Sequence, residues 1–345
     1  MPPAGRPEAS FAGGRADWLD VLKVLLVAGM ICAHCIQLLM VRPAPAEAVL
    51  SNVINIVTFS GFMLAFGIGV GLSRRSKSWG RRLWPVLLLL LATWTSELAF
   101  AVLVDRQAIG PDLLLPLLTL RRLYGWSEFL ASFTVLYLVI AMARPLLVAI
   151  ATSRWLLIIA IVACLASTWI VLNTGWPLVP AIVGTTDFAS FPLLPYLPWF
   201  LIGIAMARGR RLPPWLEWIV AAIATAAFVY YLWQNHDLPG RFPPTVLWIV
   251  GPALPLLLYL AIARGIGRLQ PPGWLLGTGR HVLAALLVSN LAIFTLRWAF
   301  GYRLGFAWWE PLAIAAAIIV AATVWAGILE MMRTRRAAAA APATA

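Results

Sequence analysis

Trp18–Val41, WLDVLKVLLVAGMICAHCIQLLMV, is the stretch whose reading decides the fold. A helix needs about 20 predominantly apolar residues to cross the hydrocarbon of a bilayer, and this run exceeds that. Its apolar residues are continuous, without the alternation of a half-buried strand. It is also too long for the apolar core of a secretory signal peptide and carries charges at its start, so it is expected to be a retained first span.

The same pattern recurs outward from this stretch. Hydrophobic residues make up 62% of the chain and charged residues 11%. A soluble domain is about half apolar and about a quarter charged, so this chain lacks the polar surface that water requires. Backbone groups in lipid must pair internally, which leaves helices or a closed barrel, and continuous apolar runs argue against the barrel. The expected fold is all-α: a polytopic membrane protein of about ten transmembrane helices, at 18–41, 49–72, 83–104, 127–150, 154–172, 191–207, 214–233, 245–263, 281–299 and 309–331. The stretches 105–126 and 173–190 contain Pro116, Pro177 and Pro180, and Pro192 follows them. Continuous helices are disfavoured there, and short re-entrant or interfacial segments are expected.

The net charge of +13 would suggest nucleic acid in a soluble protein. Here the basic residues sit in short clusters between apolar runs, which points to orientation in a membrane, with lipid and not nucleic acid as the partner. Ten spans with an internal N-terminus put Arg6, Arg15, Arg74, Arg75, Lys77, Arg81, Arg82, Arg144, Arg154, Arg208, Arg210, Arg211, Arg264, Arg268, Arg280 and Arg333 to Arg336 on the cytoplasmic side. The outer side receives Arg42, Arg106, Arg121, Arg122, Arg241, Arg297 and Arg303. Both termini are therefore expected in the cytoplasm of a multi-pass protein of the cell membrane. Trp18, Trp84, Trp126, Trp155, Trp176, Trp199, Trp308 and Trp309 mark span ends, as an interfacial belt would. Residues 1–14 and 333–345 read as disordered flanks of one domain over 15–332.

Ionisable groups inside spans mark function by default. The first span carries Asp20, Lys23 and His34 on one stripe: at about 100° per residue Lys23 and His34 project within about 20° of each other, yet lie roughly 16 Å apart along the axis. A charged pair at the mouth and one imidazole inside suggest a cleft along this helix. The plainer readings are an i,i+3 pair with Lys23 reaching to the headgroups, and a helix–helix hydrogen bond for His34. Cys32-Ala33-His34-Cys35 lacks a second ligand cluster, so no metal is expected there. Gly67, Gly69 and Gly71 read as close helix packing. Glu97 requires a partner or a wet cavity, Glu128 is also a plausible first-turn carboxylate, and His236, Asp237 and His281 read as surface or interfacial groups.

Asp20-Val-Leu-Lys23, ten residues, then His34 resembles the first span of the acyltransferase-3 type membrane acyltransferases, whose pattern is Asp-x-Leu-Arg, ten residues, His. That superfamily includes glucan-modifying and heparan-α-glucosaminide N-acetyltransferase-like branches. Phe59-Ser60-Gly61-Phe62, Arg81-Arg82-Leu-Trp-Pro85, Arg122-Leu-Tyr-Gly125-Trp-Ser-Glu128 and the proline-rich Phe191–Gly203 resemble further segments in order, covering about 15–290. Two positions depart from the family: its Arg is Lys23, and its late Gly-Arg-x-Ser-Leu with a following His appears as Gly279-Arg280-His281-Val282-Leu283, with Ser289 and Asn290 near the His position. The resemblance implies acyl transfer from acyl-CoA, a co-substrate and not a bound cofactor, to a hydroxyl or amine of a sugar or other glycan acceptor. It implies His34 as general base, Lys23, Arg81 and Arg82 for the coenzyme's phosphates, Asp20 in support, and Glu97, Arg122 and Glu128 for the acceptor. A transporter or flippase and a non-catalytic relative are the alternatives.

Overall fold

The computed structural model describes residues 17–73, 78–126, 128–173, 176, 178–210, 212–301 and 309–339, with side chains through residue 333. The flank 1–14 lies outside the described residues, as do Arg15, Arg74, Arg75, Lys77, Pro177, Arg211, Arg303, Trp308 and the chain beyond 339.

All regular structure among the described residues is helical. In chain order the helices are α1 Asp17–Leu39, α2 Pro45–Leu72, α3 Trp79–Ala99, α4 Pro111–Leu118, α5 Glu128–Thr152, α6 Arg154–Ala166, α7 Val179–Ile182, α8 Leu193–Ala207, α9 Pro214–Asn235, α10 Val246–Val250, α11 Ala253–Arg268, α12 Gly277–Arg280, α13 Val282–Phe300 and α14 Trp309–Ala339. A π-helical turn, Phe100–Val104, extends α3, and a 3-10 turn, Ser167–Trp169, extends α6.

Eight units among the described residues are long and apolar enough to cross a bilayer: α1, α2, α3 with its π turn, α5, α9, α10 with α11, α13, and α14. The other two expected spans, α6 with its 3-10 turn and α8, are apolar helices shorter than the usual span. α8 is bounded by Pro192 before it and by Gly209 in the left-handed region (φ 72°) after it. The two proline-containing stretches hold the short α4 and α7. α14 continues through 333–339, where the sequence predicts a tail; the alanines there are the strongest helix formers.

Local chemistry sets several boundaries. α2 opens on Pro45, which needs no N–H partner there, and Glu47 accepts the Ala44 N–H at 2.6 Å. α5 kinks at Ala143 (φ −122°, ψ 20°), two residues before Pro145, whose ring excludes the carbonyl one turn back. Arg144, at the kink, donates to the Ser73 carbonyl just past the end of α2.

α1 and α2 are the most enclosed spans and α9 the least. α1 is wrapped by α2, α11, α12, α13 and α14. The outward faces of α6 and α9 carry exposed Trp155, Ile159, Val162, Trp215, Ile219, Ile223 and Trp233, a surface fit for lipid chains. Helices in lipid gain little from hydrophobic burial against each other, so close packing and interhelical hydrogen bonds must hold them together. α2 and α8 run side by side, and a Cβ on Gly67 would overlap the Phe200 carbonyl, while one on Gly203 would overlap the Leu64 carbonyl. Gly71 meets α8 in the same way, but a Cβ on Gly69 would meet nothing.

Gly67→Ala is therefore expected to lower stability by roughly 1–3 kcal/mol through backbone separation, with Gly69→Ala near neutral. Thermal unfolding of the two variants in detergent micelles checks this; equal melting temperatures would count against the α2–α8 contact.

Candidate functional site

The three polar groups of α1 find their partners at two ends of the bundle. At the end where α1 begins, Asp20 is buried and accepts from Lys23 of the same helix at 3.2 Å and from Arg280 at 3.3 Å. Arg280 closes α12, and Gly279 before it lets the backbone lie against Asp20, where a Cβ would strike the Asp20 carbonyl. The guanidinium also pairs with Asp17 at 3.7 Å and Glu330 of α14 at 3.0 Å. Glu330 in turn takes His281 at 3.1 Å and Arg333 at 2.9 Å. One arginine thus ties α1, α12 and α14 into an ionic cluster.

At the opposite end, His34 Nδ1 lies 3.2 Å from Asn290 Oδ1 of α13, and Asn290 Nδ2 donates to Ser96 Oγ of α3 at 3.3 Å. With Asn290 oriented this way, Nδ1 carries the ring proton and Nε2 is the basic nitrogen of the neutral imidazole. Trp126 stands edge-on to the ring, with centroids 5.2 Å apart. Its backbone sits in the left-handed region (φ 73°), which a bulky side chain rarely occupies.

His34 lines a cavity of about 290 Å³ with Asn55, Thr58, Glu128 and Arg241. Phe59, Phe129, Phe191, Phe242 and Trp126 form its aromatic walls. Glu128 opens α5, where the helix dipole favours a carboxylate. The Phe191 wall is fixed by Ser132, whose hydroxyl donates to the Phe191 carbonyl. Arg241 arrives from the loop between α9 and α10, and burial lowers its pKa, opposed by the nearby Tyr196 and Glu128. A second cavity of about 380 Å³ adjoins at Gly125 and is lined by Asp105, Arg121, Arg122, Tyr124 and Asp187. There Arg122 stacks over Tyr124 at 5.1 Å, and burial raises the pKa of Asp105 while Arg122 draws it back.

The structure brings together part of the expected site. His34 and Glu128 share one cavity, and Arg122 lies in the next. Glu97 is fully buried within electrostatic reach of Glu128, and neither of its carboxyl oxygens has a hydrogen-bond partner among the described residues. Lys23 and His34 are not joined by open space: Leu26 and Val27, each 1% exposed, fill the stripe between them. Arg81 and Arg82 stand at the start of α3, which packs mainly on α5 and α13; Arg82 lies over Trp79 at 5.8 Å. Arg280, not Arg81 or Arg82, joins the pair formed by Lys23 and Asp20.

Two tryptophans expected in an interfacial belt are half-buried and make contacts within the protein. Trp126 walls the His34 cavity, and Trp199 donates from Nε1 to the Ile249 carbonyl at 2.9 Å, because an enclosed indole N–H needs an acceptor. Arg241, counted from sequence as an outer loop charge, turns into the cavity. The signal for it is a constrained loop, Pro239-Gly240-Arg241-Phe242-Pro243-Pro244. The signal for Asn290 is an amide in the middle of an apolar span. Comparison of the chain with protein-family models, curated proteins and solved structures returns no match in any of the three.

Asn290→Leu strands His34 Nδ1 and is expected to cost roughly 1–3 kcal/mol; an unchanged melting temperature would contradict the buried hydrogen bond. Arg280→Gln leaves Glu330 and Asp20 short of a cation and is expected to cost about 3 kcal/mol. Asp20→Asn in that background should cost less than in the parent, which a double-mutant cycle of unfolding midpoints reads directly.

Proposed function

We propose that this protein is a membrane acyltransferase that moves an acyl group from acyl-CoA to a hydroxyl or amine of an acceptor held in the His34 cavity. One observation carries the reading: a buried imidazole, held by Asn290 through Nδ1, lines a cavity that also contains a carboxylate and a guanidinium. His34 takes the acceptor's proton as its oxygen or nitrogen attacks the thioester carbonyl. The C–S bond then breaks, and the proton passes to the departing thiolate. Glu128 accepts hydrogen bonds from further acceptor hydroxyls, with Arg122 at the approach. The resemblance of the Asp20–His34 segment to the acyltransferase-3 type enzymes supports the same chemistry, with a sugar or glycan as acceptor.

The basic excess at the Asp20 end supports placing that end in the cytoplasm, where acyl-CoA is found. Lys23, the partly exposed cation of that cluster, meets the coenzyme's phosphates, and donor loading separates it from Asp20. The packed stripe of Leu26 and Val27 makes this the closed form, which must part to pass a thin acyl-bearing arm. That closed end, with a cavity at the other, is also the form of a carrier open to one side, and it favours transport as the second reading.

Protein in proteoliposomes, given labelled acetyl-CoA with glucosamine as the amine-bearing probe, tests the choice. Wild type should release free coenzyme thiol, and His34→Ala should lower that rate by about 10²–10⁴-fold while keeping its melting temperature. Equal rates in the two would remove His34 from the chemistry, and saturable glucosamine uptake without thiol release would establish the carrier.

A further inference from the structure

We infer that the ligand of the His34 cavity carries an oxyanion, a carboxylate or a phosphate, and that Arg241 receives it. The inference rests on the transferase reading only in calling that ligand the acceptor.

In the ionic cluster at the Asp20 end the cations are spent on carboxylates of the protein: Lys23 on Asp20, Arg280 on Asp17, Asp20 and Glu330, and Arg333 on Glu330. Arg241 differs. Its guanidinium is packed among Phe191 at 5.2 Å, Phe242 at 4.6 Å and Trp248 at 5.9 Å. Its Nε is buried and has no hydrogen-bond partner among the described residues. Glu128 lies within electrostatic reach, but no carboxylate among the described residues comes within ion-pair distance of Arg241.

A buried charged N–H without an acceptor is costly, and native structures keep few of them. Aromatic rings around a guanidinium do not satisfy its N–H donors, which therefore still want an acceptor. A planar carboxylate or a phosphate fits that fork with paired N–H···O bonds. The same group lines the cavity beside His34. An oxyanion on Arg241 would fix one end of a ligand while its nucleophile lies at the imidazole, so an anionic acceptor is held more tightly than its neutral counterpart, which still reaches the imidazole.

Ligand-observed saturation-transfer NMR on the purified full chain in micelles tests this with benzoate and its neutral isostere benzamide, whose ring suits the aromatic walls. Benzoate should bind about tenfold more tightly than benzamide. Arg241→Gln should erase the preference, and Arg241→Lys, which keeps the charge without the fork, should retain a reduced one. Displacement of benzoate by inorganic phosphate assigns a phosphate-bearing ligand; failure to displace assigns a carboxylate. Equal binding of the two probes, binding of neither, or an undiminished preference in Arg241→Gln overturns the inference. The signal needs no turnover, so a failed transfer assay leaves this result standing, and a failed binding test leaves the transfer assay standing.

Discussion

A polar side chain on a helix in hydrocarbon has to find its partner inside the protein, and α1 carries Asp20, Lys23 and His34. Lipid chains offer nothing that could satisfy such a group. The bundle is arranged around that constraint. Arg280 reaches Asp20 across 260 residues of chain, and Asn290 reaches His34 across 256. Both partners lie ten residues apart on α12 and α13, so a single stretch of chain satisfies both ends of α1.

The two ends are satisfied in different ways, and the difference divides the molecule. The ionic cluster contains acids and bases in mutual contact, with Arg280 at its centre, and it joins three elements firmly. The His34 end has hydrogen bonds from His34 to Asn290 to Ser96, then a cavity lined by Glu128 and Arg241 without an ion pair between them. The charges of the ionic cluster are paired with one another, and those lining the His34 cavity are not. Buried groups with open hydrogen-bonding capacity, such as Glu97, Asn55 and Arg241, gather around that second end. Structure alone would be better served by apolar residues at these positions, since an incompletely satisfied polar group destabilises its surroundings.

Glycine has an equally physical part. Gly67 and Gly203 let α2 and α8 approach backbone to backbone, and Gly279 does the same for α12 on α1. The first contact supports the helix that carries Asn55, Thr58 and Phe59 into the cavity wall. The second brings Arg280 to Asp20. Gly69 lies one residue from the contact face and has open space around it, which separates packing glycines from incidental ones within a single motif.

Long apolar runs are a local property, and so the helical class, the eight long apolar helices and the placing of Asp20, Lys23 and His34 on one helix follow from sequence alone. Hydrocarbon permits few alternatives for an uninterrupted run of that length. Glu128 and Arg122 were also legible, because a charge at the edge of a span is conspicuous against an apolar background. Arg241 was not, since a loop arginine reads as solvated until the chain folds back at Gly240 to Pro244 and buries it among aromatic rings. Nor was the role of Asn290: its place near the end of the chain says nothing about which helix it meets. The interruption of the Lys23–His34 stripe was equally hidden, because helix geometry places side chains on a face and only neighbouring helices decide whether that face is open or filled. Sequence determined which groups must be paired; tertiary structure decided their partners, because pairing in a low-dielectric interior acts over a few ångströms and joins residues hundreds of positions apart.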